Sequence, residues 1–411
     1  MNALIEAVNA REILGASGRP TVEVTVTTTT GVTASASVPS GTSKGRYEAQ
    51  DVRDGGNRFR GLGCRRAVAN VHEEIAPALR GMPVDAQSTI DARMIALDGT
   101  SNKGRLGANA ILPVSVACAK AAAAVAGVGP YRYLGGGPPT ALPAPMATVI
   151  AGGAYSSSAL DFEDYLYILD GFTSVAEAVE ALWETRIVLE EILTTRFGTV
   201  PDVGGALAPP IASTGEAFDL MLDAAERGGC AGRARLGIDV AASELYNAAR
   251  GVYRIGGTEL TPEALAGRYA ELVREYPLVF IEDPFHQDDF AGHAGLAAAL
   301  PRVMIVGDDL FVSNPERIRR GIEMRSANAV LLKINQIGTV SEAKAAAAVA
   351  KAGGYTVTCS LRSHDTDDPF IVDFAVAVGA RLIKLGSPVR GERNAKYNRL
   401  MAIEKEHCGV I

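Results

Sequence analysis

The chain has 411 residues, 47% hydrophobic and 21% charged, with a formal net charge of −7. That length exceeds the roughly 250–300 residues that one hydrophobic core serves, so two domains are expected. The acidic balance gives no electrostatic reason to bind nucleic acid or a membrane surface.

In chain order, "TVEVTVTTTTGVTASASV" alternates β-branched residues around a Gly-Val break, the pattern of two meander strands. Helical patterns follow at "CRRAVANVHEEIAPALRG" and "GANAILPVSVACAKAAAAVAG", so the first third reads as α+β. The Gly/Pro cluster "GGGPPTALPAP", Gly135 to Pro145, marks a boundary between a domain at residues 1–134 and one at 140–411. Beyond it, the runs "ARLGIDV", "LVFIEDP", "VMIVGDD", "AVLLKIN", "YTVTCSLRS" and "RLIKLGS" end in Asp239, Glu282, Asp308, Lys333, Arg362 and Lys384. From Glu282 onward these recur every 22 to 29 residues. Each interval holds a helical pattern such as "NPERIRRGIEM" or "TVSEAKAAAAVAKAGG", which makes a train of βα units. Continuous apolar strands imply a parallel sheet covered on both faces. Ionisable groups at successive strand ends favour a (β/α)₈ barrel, where every strand delivers to one mouth, over an open doubly wound sheet. No G-x-G-x-x-G follows the first strands, which weakens a dinucleotide-binding alternative.

The longest apolar runs, "ACAKAAAAVAGV" and "AKAAAAVAKAGG", are Ala-rich, carry lysine and read as too short to span a bilayer. No basic segment leading into an apolar one opens the chain, so export is not expected. Cys64, Cys118, Cys230, Cys359 and Cys408 are scattered, with no C-x-x-C pair. That fits reduced thiols in a cytoplasmic protein rather than a disulfide framework or a zinc site.

Three carboxylates at successive strand ends, Asp239, Glu282 and Asp308, would repel one another unless a cation sat between them. Hard oxygen ligands of this kind suit Mg²⁺. Singly, each reads equally well as a loop cap paired with an arginine. Lys333 and Lys384 follow two and four units after Glu282, on the other side of the barrel. Beside a cation, at the end of an apolar strand, each lysine should have its pKa lowered, making a base for a weakly acidic C–H. Arg362 and Ser363 form an anion clamp, a planar fork and a hydroxyl suited to phosphate or carboxylate oxygens. The Gly-flanked loop "VPSGTSKGRYEA" could close over such an anion, although its composition alone reads as an ordinary hairpin connection.

Together these residues resemble the enolase family, and the similarity runs along nearly the whole chain. It is carried by "RPTVEVTV…VPSGTSKGRYEAQDVRDGG", "LGIDVAASELY", "FIEDPF", "VGDDLFVSNPERI", "LLKINQIGT" and "RGERNAKYNRL". The resemblance implies an α/β protein with an N-terminal α+β capping domain and a modified (β/α)₈ barrel whose first units depart from regular alternation. It implies Mg²⁺ on Asp239, Glu282 and Asp308, Lys333 as the base at the α-carbon, and Lys384 neutralising the substrate carboxylate. It also implies phosphate contacts from Arg362 and Ser363, and Ser43 joining a second Mg²⁺. The chemistry implied is that of enolase-superfamily sites, a lysine base with Mg²⁺ stabilising an ene-diolate.

Departures from the family gather on one side of the site. Leu361 and Tyr155 stand where the family has histidines, Val203 where it has an acid, Asp164 where it has a longer glutamate, and Glu163 where it has a glutamine. The enolising half is thus kept while the groups that expel the β-hydroxide are altered, and each lost acid typically costs around 10²–10⁴ in rate. The expectation is therefore a catalyst in the Mg²⁺-dependent enolase superfamily moved to phosphonate antibiotic biosynthesis, of the carboxyphosphonoenolpyruvate synthase kind. Its ligand would be a small anion pairing a carboxylate with a phosphate or phosphonate. The alternatives are a divergent phosphopyruvate hydratase, with His364 supplying the missing imidazole, and a non-catalytic binding module. A homodimer or higher homo-oligomer is expected, although Ser17 replaces an arginine of the family's dimer contact.

Overall fold

A computed structural model describes residues 3–39, 41 and 45–408. The N-terminal part is built on an antiparallel sheet of Ile5–Leu14, Pro20–Thr28 and Thr33–Ser37, in that order. The meander pattern foresaw the last two strands; the first, Ile5–Leu14, was not foreseen. Val22, Val24 and Val26 are fully buried on one face, as the two-residue period of a strand requires. Helix Ala108–Val125 packs on that face. It is long and apolar enough to cross a membrane by length and composition, contrary to the expectation that such runs are too short, yet 83% of it is buried inside the protein. A helix apolar all round belongs in a core, and this one is the core of its sheet. The other expected helix is interrupted by a π turn at Val71–Ile75, between Arg65–Asn70 and Ala76–Leu79.

Among the described residues, eight strands close into a barrel: Ala144–Ala151, Asp164–Ile168, Arg235–Asp239, Leu278–Glu282, Met304–Gly307, Ala329–Leu332, Thr356–Ser360 and Leu382–Lys384. Leu382 pairing with Ala144 completes the ring. All six runs foreseen as strands are strands. The second strand, Asp164–Ile168, runs antiparallel to both neighbours, with Asp164 opposite Ala151 on one side and Asp239 on the other. Its reversal matters for the site. The other strands bring their last residues to the mouth, whereas this one brings its first.

Met146, Leu166, Ile168, Phe280, Val306, Ala329, Leu331 and Leu382 fill the barrel interior. Alternate residues face the outer helices: Tyr167 donates to the Met221 carbonyl at 2.5 Å and Tyr165 meets the Thr214 hydroxyl at 3.0 Å. Outer helices begin on side-chain caps, with Ser174, Ser213, Thr261, Asp289, Asn314 and Thr339 each accepting a first-turn amide. The N-terminal part is fastened to the barrel by Lys120 to Asp368 at 2.7 Å and Lys103 to Glu342 at 3.0 Å. Cys64, Cys118, Cys230 and Cys359 are buried free thiols.

Candidate active site

Asp239 and Glu282 are the last residues of their strands, Asp308 and Lys333 follow directly on theirs, and Lys384 ends the closing strand. The reversed strand adds Asp164. Lys384 Nζ donates to Asp164 Oδ2 and Asp239 Oδ2 at 2.8 Å and to Glu282 Oε2 at 3.0 Å. Lys333 Nζ pairs with Asp308 Oδ2, whose other oxygen accepts from Gln336 Nε2 at 2.7 Å. The two lysines thus bind opposite ends of one carboxylate row.

Burial alone would push the Lys333 ammonium down, but Asp308 and Glu282 outweigh it and hold its pKa above the ordinary lysine range. Lys384 is held higher by Asp164, Asp239 and Glu282 against the same desolvation. The lowered lysine pKa values expected from the sequence belong to a site holding a cation, whose charge would offset these carboxylates and favour the neutral amine. Burial followed by Asp239 raises Glu282, and burial followed by Asp239 and Asp164 raises Glu163. Asp164 and Asp308 resist burial and lie low because each holds a lysine.

The row suits a hard cation. Glu282 is 0% exposed, and its Oε1 is buried with no hydrogen-bond partner among the described residues. A buried acceptor left unpaired is expensive, and a divalent cation between Asp239, Glu282 and Asp308 would satisfy it. A different trio, Asp283, Asp308 and Asp309, brings carboxylate oxygens within 4.8 Å of one another. Asp283 is already occupied there. Its carboxylate accepts from the amides of Asp308 at 3.0 Å and Asp309 at 2.7 Å, capping the loop that carries Asp308.

These groups open onto a cavity of about 500 Å³ whose wall includes Tyr155, Glu163, Asp164, Asp239, Lys333, Arg362, Ser363 and Lys384. Glu282 and Asp308 lie behind that wall. Arg362 is 4% exposed. It is set by its amide donating to Asp365 Oδ2 at 3.0 Å and by Arg393 donating to its carbonyl at 2.9 Å. Ser363 follows it, exposed at the rim. Ser43 lies outside the described residues. On the opposite wall the Tyr155 hydroxyl donates to Asp164 Oδ1 at 2.6 Å, and Glu163 makes no side-chain hydrogen bond or ion pair to a described residue. Val203 sits in a short hairpin, Asp202–Val203 with Ala206–Leu207, on the same cavity.

Leu361 lines both this cavity and a small apolar pocket with Val38, Leu112, Val116 and Phe370. Its hydrocarbon side chain covers the seam between sheet and barrel. His364 lines the cavity too, but burial, then Arg19, Arg393 and Arg362, push its imidazole down to about 4. An imidazole on this wall, as the hydratase alternative asks of His364, is therefore held in its neutral form. Sequence reasoning missed Glu48, Asn335 and Gln336, which hold Arg362 and Asp308. Asn335 and Gln336 follow Lys333 at its strand end and could have been found there; Glu48 gave no such signal.

Two family models match, the enolase N-terminal domain over residues 5–134 and the enolase C-terminal TIM barrel domain over 139–410. An enolase from Methanopyrus kandleri is 49% identical, covering 99% of this chain and 96% of that one. The chain belongs to the enolase family. Enolases from Pyrococcus furiosus and Rubrobacter xylanophilus are similar as well. The first is 48% identical over 99% of this chain and 96% of its own length, the second 46% over 98% and 94%. This likeness to full-length enolases overturns the assignment to phosphonate antibiotic biosynthesis. That assignment weighed a few altered side chains around the cavity above the agreement of the rest of the molecule.

Proposed function

We propose that the protein is a Mg²⁺-dependent phosphopyruvate hydratase, interconverting 2-phosphoglycerate and phosphoenolpyruvate. The observation that carries this reading is the arrangement of Lys333 and Lys384 at opposite ends of one carboxylate row, with Arg362 on the wall of the same cavity. Asp239, Glu282 and Asp308 would hold Mg²⁺, which when bound supplies positive charge to a substrate carboxylate and stabilises an ene-diolate. Arg362 and Ser363 receive the phosphate. Lys333 takes the proton from C2 as an amine, and Lys384 offsets the carboxylate's growing charge. The C3–O bond then breaks, and the departing hydroxide takes a proton from Glu163 and leaves as water. Tyr155, through Asp164, keeps Lys384 oriented. With this reading go a division into a 1–134 domain and a 140–411 barrel, and assembly as a homodimer.

The test is phosphoenolpyruvate formation from 2-phosphoglycerate by purified protein. Turnover that needs Mg²⁺, stops with EDTA and is lost in Lys333→Ala is expected. Product formation no faster than in Lys333→Ala would overturn the reading.

A further inference from the structure

The loop Gly45–Gln50 of the N-terminal part reaches across the barrel mouth and ends on the anion clamp. Glu48 is 2% exposed and Arg362 4%. Arg362 Nη1 donates to Glu48 Oε2 at 3.0 Å and Nη2 to Glu48 Oε1 at 3.2 Å. This is the two-point fit of a guanidinium fork to a carboxylate, which fixes the plane of the fork as well as its position. Nη1 also donates to Asn335 Oδ1 at 3.1 Å.

The same carboxylate ties the loop to itself, since Glu48 Oε1 accepts the Gly45 amide at 3.0 Å. Gly45 sits where a Cβ would meet Val312 Cγ1 at 2.7 Å and Asp309 Oδ1 at 2.9 Å, so a side chain there would displace the loop. Further along, the Arg46 amide donates to Gln287 Oε1 at 2.9 Å and the Tyr47 hydroxyl to Asp288 Oδ1 at 3.0 Å. Arg317 lies 4.0 Å over the Tyr47 ring. The Ala49 amide donates at 2.8 Å to the carbonyl of Gln336, the residue whose side chain holds Asp308. The loop is therefore fastened to the barrel along its length, and Glu48 is where it grips the clamp.

We propose that Glu48 is a positioning residue for Arg362, holding the guanidinium in one orientation toward the cavity and coupling it to the seat of the Gly45–Gln50 loop. This rests on the reading of Arg362 as the substrate's phosphate contact. A merely neutralising role makes the opposite prediction. If Glu48 only balanced charge, its removal would leave Arg362 more attractive to an anion; if it sets orientation, even a charge-preserving change weakens anion binding.

Inorganic phosphate in Mg²⁺-containing buffer, titrated calorimetrically into the full chain, is the probe. Glu48→Asp keeps the charge but is one methylene too short to reach both nitrogens. Phosphate affinity is expected to fall about tenfold or more, as when the partner that orients a ligand group is lost. The KM for 2-phosphoglycerate should rise by a similar factor while kcat changes much less. In an Arg362→Lys background, which lacks the fork, Glu48→Asp should add no further loss. Should Glu48→Asp not fold, as judged by thermal unfolding, Glu48→Gln takes its place, and weaker phosphate binding then supports the proposal. Phosphate binding that is unchanged or tighter, or an equal loss in the Arg362→Lys background, would overturn it. If the wild type makes no phosphoenolpyruvate yet the phosphate pattern holds, the hydratase reading fails and the role of Glu48 stands.

Discussion

Glu163 and Asp164 are neighbours in the chain and on the cavity wall, yet only one of them is paired. Asp164 accepts from Lys384 and Tyr155, so its charge is matched. Glu163 faces the cavity without an ion pair to a described residue, and burial, followed by Asp239 and Asp164, outweighs the pull of Lys384 and Lys333 and favours its neutral form. A carboxylic acid kept protonated beside a substrate is a proton donor. Glu163→Gln keeps the shape and removes the proton, so phosphoenolpyruvate formation should fall by roughly 10²–10⁴ with phosphate affinity unaltered. Tyr155→Phe, which leaves Asp164 its lysine, should cost much less. Equal rates in wild type and Glu163→Gln, measured from 2-phosphoglycerate, would remove Glu163 from the reaction.

At the level of elements, what could be read along the chain were strands that announce themselves by an apolar run ending in a charge. Leu278–Glu282 and Ala329–Leu332 are of that kind, and they bring Glu282 and Lys333 to the mouth. The reversed strand Asp164–Ile168 carries its charge at the front, so the same pattern passes over it. Only the antiparallel pairing with Arg235–Asp239 shows that Asp164 meets Asp239. Glu48 escaped for a different reason: its partner Arg362 lies 314 residues away, and no local spacing reports that. Asp283 is a loop device of the same sort. It adopts a left-handed backbone, φ 43, and its carboxylate caps the amides of Asp308 and Asp309. Asp283→Ala should lower stability by about 1–3 kcal/mol, because those buried amides lose their acceptor. Urea unfolding reads this directly, and a variant as stable as wild type would show the cap to be dispensable.

Over the whole molecule, the barrel and its N-terminal cover carry buried groups whose protonation is linked to folding. His293, on the outer helix Phe290–Ala299, hydrogen-bonds the Asp289 carbonyl at 2.7 Å and packs against Phe285. Burial pushes its imidazole down to about 4 from an ordinary 6.5. The folded state holds it neutral, so the unfolded chain binds more protons between those values. Its contribution to stability is complete above pH 6.5 and is lost on acidification toward about pH 4, on the order of 3 kcal/mol in all. His293→Leu should flatten that part of the stability–pH curve; an unchanged slope would place the acid sensitivity elsewhere. The same scale explains the misread function. Leu361, taken along the chain, looks like a deleted imidazole, whereas in space it covers the apolar seam with Leu112 and Phe370. Family membership is borne by the matches over residues 5–134 and 139–410, and a few altered residues around the cavity do not outweigh it.

In the proposed reaction, Lys333 removes the C2 proton of a substrate held by Arg362 at the carboxylate row. Deuterium incorporation at C2 of 2-phosphoglycerate in D₂O with Mg²⁺, followed by NMR, tests it without requiring the hydroxide to leave. Wild type and Glu163→Gln should both exchange the proton, and Lys333→Ala should be slower by about a hundredfold or more. Exchange that is absent from wild type, or equally fast in Lys333→Ala, would contradict the account.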